Sequence, residues 1–428
     1  MSMLPQGLLS LPTHEDKRFA KAVRKARLVA LRCLLAYPAA GLSPPLQASL
    51  ARLREVLVPG AKRHGAMLLD AVGSPDVLPV LLTLAVRLGD PEVLLPRAIS
   101  SLMSGLVHYP DKELLRDNLL VELPVERILD GRGHRTLLFS PPAKAMLADA
   151  SGFAVQLGDS EGTRVEIPPA PRLPTAQPGL EGSGDYHRLA SDLPRLHLSL
   201  VDANPLSMYE AHPDKDGNAI DLGGKTVEEW QEGLGEGLEL IRSTLPGWYQ
   251  ELSHGLERIV PVGYGAEAHL SASYREAPGT VYMTLHPNRV TLAEAIIHET
   301  QHGKANAFSW SDALLLNGMS TWTESAVRPD LRPLWGVLLA VHAFVPVSAL
   351  HHGLAEQGHP LTEDAWFARR RAQVIQGNSN GIKTLKELAN PTPLGREMLD
   401  SLYELHDFLE NAAPPPPEGI DADALPPG

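Results

Sequence analysis

The residues best suited to chemistry lie together at His298-Glu299-Thr300-Gln301-His302. On a helix, positions four apart stack on one face, so both imidazoles can reach a single metal ion. Two histidines do not close such a site, and a third protein ligand is expected. Glu324 lies 22 residues beyond His302. His342 is its rival: a lone histidine on so apolar a run is more often a core residue, but the metal helix upstream needs a partner, and His342 is preferred. Between them, Arg328-Pro329-Asp330-Leu331-Arg332-Pro333 offers two guanidinium forks able to clamp a carboxylate, with Asp330, Glu324 and helix ends as competing partners.

These side chains need elements to hold them. Thr291 followed by Glu294 reads as a capping box opening a helix over Leu292–Phe308, and Ala295, Ile296 and Ile297 mark it as buried. Two β-prone runs, His269–Tyr274 and Thr280–Leu285, flank Ala277-Pro278-Gly279 and predict a hairpin just upstream. Downstream, Pro333 starts and Pro346 ends a buried helix, Leu334–Val345. Thr226 with Glu229 is another capping box, for a helix running to about Ser243, and Trp248 to Ile259 continues the helical texture. Asp214-Lys215-Asp216-Gly217-Asn218 resembles the opening of a calcium loop. It lacks the required glycine and the closing acid, which are Ala219 and Lys225, so it is read as a polar turn.

The rest of the chain divides by texture. Residues 13 to about 107 are helical in spacing, including His14–Ala36, Leu78–Leu88 and Glu92–Leu106. From 119 to 205 short β-prone runs appear: Thr136–Phe139, Phe153–Leu157, Arg164–Ile167 and Leu196–Val201, the last with leucines alternating against His197 and Ser199. A Pro/Gly-rich loop occupies about 168–185, and four consecutive prolines open a disordered tail at 412–428. The class is therefore α+β: a helical region over 1–118, then a mixed metal-binding catalytic region over 119–411.

Composition narrows the function. The chain has 428 residues, 43 % hydrophobic and 21 % charged, with a net charge of −13 that argues against nucleic-acid binding. No run of about 18 uncharged apolar residues and no signal peptide is expected, and one cysteine, Cys33, fits a reducing cytoplasm. Residues 1–64 carry 11 Lys or Arg against 3 Asp or Glu, read as the solvated face of an amphipathic helix. Trp366 with Arg369, Arg370 and Arg371 is read the same way.

In order, the hairpin, the HExxH helix, a polar stretch containing Trp322, the Arg328–Leu334 segment and Gly336-Val337-Leu338-Leu339-Ala340-Val341-His342-Ala343-Phe344 resemble a known family. It is the bacterial HExxH-motif peptide-modification family, described as 2-oxoglutarate-dependent HExxH-type peptide β-hydroxylases. Looser similarity begins near Leu198 and includes Asp202-Ala203-Asn204-Pro205 and Ile259-Val260-Pro261. Relatives carry the downstream histidine where this chain has Leu339; positions 339 and 342 share a helix face, so His342 is expected in that coordination site. The resemblance implies Fe(II) held by His298, His302 and His342, with 2-oxoglutarate and O₂ as co-substrates. It also implies β-carbon hydroxylation of a peptide or protein, such as a natural-product precursor peptide. Arg328 or Arg332 would hold the distal carboxylate of 2-oxoglutarate, and Glu299 would orient a ligand or a metal-bound water. The alternative is a zinc metallopeptidase with Glu299 as general base. It would not be a metzincin, whose third histidine falls where Phe308 stands. For gripping a peptide, both the 269–285 hairpin and the basic N-terminal helix are candidates.

Overall fold

The computed structural model describes residues 4–414 apart from 6, 14, 117, 159–163, 169–171, 175–178, 191, 210–216, 268 and 325–330. Arg328, most of the calcium-like loop and the tail from 415 thus lie outside the described residues.

The N-terminal helices are α1 (Arg18–Ala36), α2 (Pro44–Arg63), α3 (Gly65–Val72), α4 (Leu78–Ala85) and α5 (Pro91–Leu106). α1 starts later than its polar signals predict, because Asp16 stands outside the helix and accepts the Arg18 N–H at 2.8 Å. Short strands follow: β1 (Leu119–Val121), β2 (Val125–Asp130), β3 (Arg135–Ala143), β4 (Ala145–Ala148), β5 (Phe153–Gln156), β6 (Arg164–Ile167) and β7 (Leu180–Ser183). They form two small antiparallel sheets, β1-β4-β5-β6 and β2-β3-β7. β7, inside the Pro/Gly-rich stretch, is an edge strand, the position such a sequence can tolerate.

The second half begins with β8 (Tyr186–Arg188) and β9 (His197–Ser199), followed by α6 (Val227–Thr244), α7 (Pro246–Gly255) and β10 (Arg258–Tyr264). β11 (Ser271–Ser273) and β12 (Thr280–Leu285) make the expected hairpin, and α8 (Arg289–Ser309) carries the HExxH motif. After β13 (Trp322–Glu324) and β14 (Leu331–Pro333) come α9 (Leu334–Glu356), α10 (Ala365–Leu388) and α11 (Pro393–Asn411). One sheet runs β11-β12-β10-β9-β8, its three inner strands parallel and both edges antiparallel. The architecture is α+β.

Several local expectations are corrected by packing. The helical texture after Trp248 stops at Gly255, where a Cβ would run into the Phe19 ring, and Ile259 belongs to β10. His197 and Ser199 are buried like the leucines beside them, since inner parallel strands are covered on both faces. The Thr226–Glu229 capping box forms. The one at Thr291 does not: Asn288 caps α8 through the N–H groups of Val290 and Thr291, and Glu294 lies inside the helix. α9 continues through Pro346 for 23 residues because it is enclosed by the fold on both sides of the proline. It is also long and apolar enough to cross a bilayer, with a mean hydropathy of 1.7, against the composition-based expectation, since histidine and serine interrupt it without adding charge. Most of it is buried within the protein.

The buried residues gather into two main cores. One joins the N-terminal helices to the sheets of β1–β7, from Ala26 to Leu180, so it runs across position 118. The other holds buried residues from Leu9 to Val23 and most of the apolar ones from Leu193 to Leu409, with Val201 and the group Val260, Ala272 and Tyr282 in small separate clusters. α1 serves both, with Phe19, Ala22 and Val23 in one and Ala26, Ala30, Leu31 and Leu34 in the other. Its cations are only partly solvated: Arg27 bonds Glu257 at 2.8 Å and Arg18 pairs with Asp16, while Lys21, Arg24 and Lys25 are exposed.

Behind α8, the fully buried Lys304 ammonium donates to Glu251 at 2.8 Å and to the Leu9 carbonyl at 2.6 Å. Removing one member of such a pair strands a buried charge, whereas replacing both with apolar groups does not. Lys304→Met is therefore expected to cost about 3–5 kcal/mol in urea denaturation. The double variant Lys304→Met/Glu251→Met should be less destabilised than that single change.

Candidate metal centre

Between Leu292 and Phe308 only His298 and His302 escape full burial. α8 thus presents these two side chains at an opening and encloses the rest. Ligand atoms of His298, Glu299 and His302 all lie within 4.8 Å of one another. The two imidazole rings stand 4.3 Å apart, and the edge of Phe344 from α9 packs on His298 at 4.6 Å. His302 Nδ1 is 3.7 Å from Glu299 Oε2, the Leu339 main-chain carbonyl faces the same ring, and Nε2 is buried without a partner. Burial, then the neighbouring imidazole, holds His298 well below the ordinary histidine value; burial also lowers His302. At neutral pH both rings are uncharged and keep a lone pair, the state a metal requires.

Glu299 is fixed from the sheet. Ser271 and Ser273 of β11 donate to its two carboxylate oxygens, each at 2.6 Å. Their spacing of two puts both hydroxyls on the strand face turned toward α8. His269 precedes them on the same alternation, its Nδ1 3.1 Å from the Thr284 hydroxyl and its Nε2 buried and unpartnered.

One turn before His298, Glu294 is buried between α9 and α10. It accepts from His351 Nε2 at 2.6 Å, from Arg370 Nε at 2.8 Å and from the other arm of that guanidinium at 2.7 Å. Burial alone would raise this carboxyl, but Arg370 and His351 outweigh it and hold it at about 2. Arg370 and Trp366 therefore line an internal wall, and Arg371 is buried; the solvated-face reading holds only for Arg369. A cavity of about 1590 Å³ opens from His298 between this wall and the loop before β11, past Leu270, Phe344 and Trp366.

His342 does not join the converging ligand atoms. It is fully buried, pushed down to about 3 by burial and by the nearby Lys304 ammonium, and its ring lies at the Gln301 carbonyl, a hundred degrees around α8 from His302. The α9 residue whose backbone meets His302 is Leu339; the His342 ring, both nitrogens buried without a partner, lies near enough to His302 to be influenced by it but outside the three-residue group. Glu324 is exposed on β13 and stands outside the group as well. Arg332 on β14 is close enough to His302 to depress its basicity, whereas Arg328 lies outside the described residues. Sequence reasoning missed Ser271, Ser273 and the Glu294–His351–Arg370 cluster. The available signals were the alternation of His269, Ser271 and Ser273 in a recognised hairpin and the i, i+4 relation of Glu294 to His298.

Glu294 binds its proton less readily folded than unfolded, so its contribution is present above pH 4.5 and lost as pH falls toward 2. Wild type should lose on the order of 3 kcal/mol of unfolding free energy across that window, and Glu294→Gln should flatten the loss. Elemental analysis after dialysis against Zn(II) or Fe(II) is expected to show wild-type metal content in His342→Gln and none in His302→Ala. Ser271→Ala/Ser273→Ala should bind metal roughly 10- to 100-fold more weakly. No protein-family model matches this chain, and comparison with curated proteins likewise finds no match.

Proposed function

We propose that this protein is an Fe(II)- and 2-oxoglutarate-dependent hydroxylase acting on a side chain, at its β-carbon, of a peptide or protein such as a natural-product precursor. The observation that carries the reading is the double grip of Ser271 and Ser273 on Glu299. A peptidase base must take a proton from water and hand it to a leaving amine. A carboxylate anchored at both oxygens is better suited to a fixed task, orienting an imidazole or a bound water. His298 and His302 would hold the metal, and the buried, unpartnered Nε2 of His302 fits that role.

When bound, Fe(II) would supply the O₂ chemistry in which 2-oxoglutarate loses CO₂ to give succinate and one oxygen atom enters a substrate C–H bond. The protein's own part is binding and exclusion. Arg332, near His302, would hold the distal carboxylate of the oxo acid, with Arg328 as its alternative. Arg370 is committed to Glu294. Phe344 keeps water from one side of His298. The cavity beside His298 exceeds the 300–1,000 Å³ typical of small-molecule pockets, which favours a polymeric substrate. A cytoplasmic setting suits the single free thiol, Cys33.

Zinc peptidase activity is the second reading, favoured by the HExxH motif itself. One spectrum separates them. Metal-stripped protein, given Fe(II) and 2-oxoglutarate without oxygen, is expected to develop a weak visible charge-transfer band that His302→Ala abolishes. Absence of the band, with zinc tightly held in protein as purified, would overturn the hydroxylase reading.

A further inference from the structure

Among the described residues, the sheet beside the metal centre ends in a strand whose outer edge is unpaired. β11 is the last of the five strands and pairs with β12 alone. The Thr284 N–H donates to the Leu270 carbonyl at 2.9 Å, which sets the phase of the ladder. Bonded and non-bonded pairs alternate along antiparallel strands, so Ala272 opposite Tyr282 is the next bonded pair. Ser271 and Ser273, opposite Met283 and Val281, fall between and direct their N–H and C=O groups away from β12. No described residue takes those groups up. Proteins usually blunt such an edge with charge, proline or a bulge, and Ser271-Ala272-Ser273 has none of these.

The same two residues hold Glu299 with their side chains. We propose that β11 is a strand-addition site: an extended segment of the substrate peptide pairs antiparallel with it through the main chain of Ser271 and Ser273. This rests on the reading that the protein acts on a peptide. In that pairing, peptide residues directly opposite Ser271 and Ser273 turn their side chains to the α8 face, toward His298 and His302. The residue that reacts is therefore one that itself exchanges both main-chain bonds with β11. Antiparallel direction carries the peptide C-terminal to that residue past Leu270, into the cavity lined by His269, Phe344 and Trp366. Recognition by main-chain bonds accepts many sequences, and the cavity supplies selection among them.

The test uses metal-free, full-length protein and a positional-scanning pool of fluorescein-labelled octapeptides, read by polarisation. The tightest peptide is remade with a single N-methyl group at each position in turn. Binding is expected to weaken about tenfold at alternate residues and to hold at those between. Ser273→Pro, tolerated at an outward edge position, should bind about tenfold more weakly than Ser273→Ala, which lacks the same hydroxyl but keeps the N–H. Absence of binding, no alternation, or full binding by Ser273→Pro would each overturn the proposal. So would a dimer in sedimentation that Ser273→Pro dissolves, because the edge would then belong to a second copy of the chain. A charge-transfer band without alternating binding would defeat strand addition and leave the hydroxylase reading standing; alternating binding without the band would do the reverse.

Discussion

A buried helix that carries polar side chains must find a partner for each of them, and helix α8 meets this demand along most of its length. Glu294, Glu299, Gln301 and Lys304 are all buried there. An unpartnered buried charge costs several kcal/mol, so these groups recruit the surrounding fold. Glu299 takes Ser271 and Ser273 from the sheet edge, and Glu294 takes His351 from α9 and Arg370 from α10. Lys304 takes Glu251 from α7 and Leu9 from the N-terminal segment, where Gln301 also reaches the Ser10 carbonyl at 3.4 Å. Elements from both ends of the chain are tied to one helix by electrostatics.

This arrangement leaves His302 Nε2 buried without a protein partner beside the imidazole of His298, as it does Thr300 Oγ1 and Gln301 Oε1 in the same motif. Desolvation keeps both rings neutral, and the partners around them keep the helix from rotating. The centre is thus preorganised by the groups behind and above it, and the open flank is the cavity beside His298. His342 lies in the interior on the side of Gln301 and Lys304, both of its ring nitrogens buried without a partner.

The two cores give this site its footing. α1 lies across both, so the helical N-terminal region and its small sheets are mechanically continuous with the five-stranded sheet. The inner strands β9 and β12 are buried on both faces, and β11 forms the antiparallel edge beside the candidate metal centre.

Local patterns in the chain were enough to specify the α+β class, the helix bearing the HExxH motif, the hairpin before it and the helix after it, because periodicity and turn residues act over a few positions. Thr226–Glu229 caps its helix as its spacing alone requires. What local patterns could not specify is which polar residue faces which. Glu294 satisfies the spacing of a capping box equally well, yet burial beside His351 and Arg370 makes it part of the wall, and Asn288 caps instead. Pro346 carries a helix-stop signal that enclosure on both sides overrules. His342 and Leu339 share a face in projection, but the crossing of α9 over α8 sets the backbone of the second at His302 and the ring of the first at the Gln301 carbonyl. Spacing records the angle of a side chain about its own helix; the distance to another helix is decided by packing, and only the tertiary structure holds it.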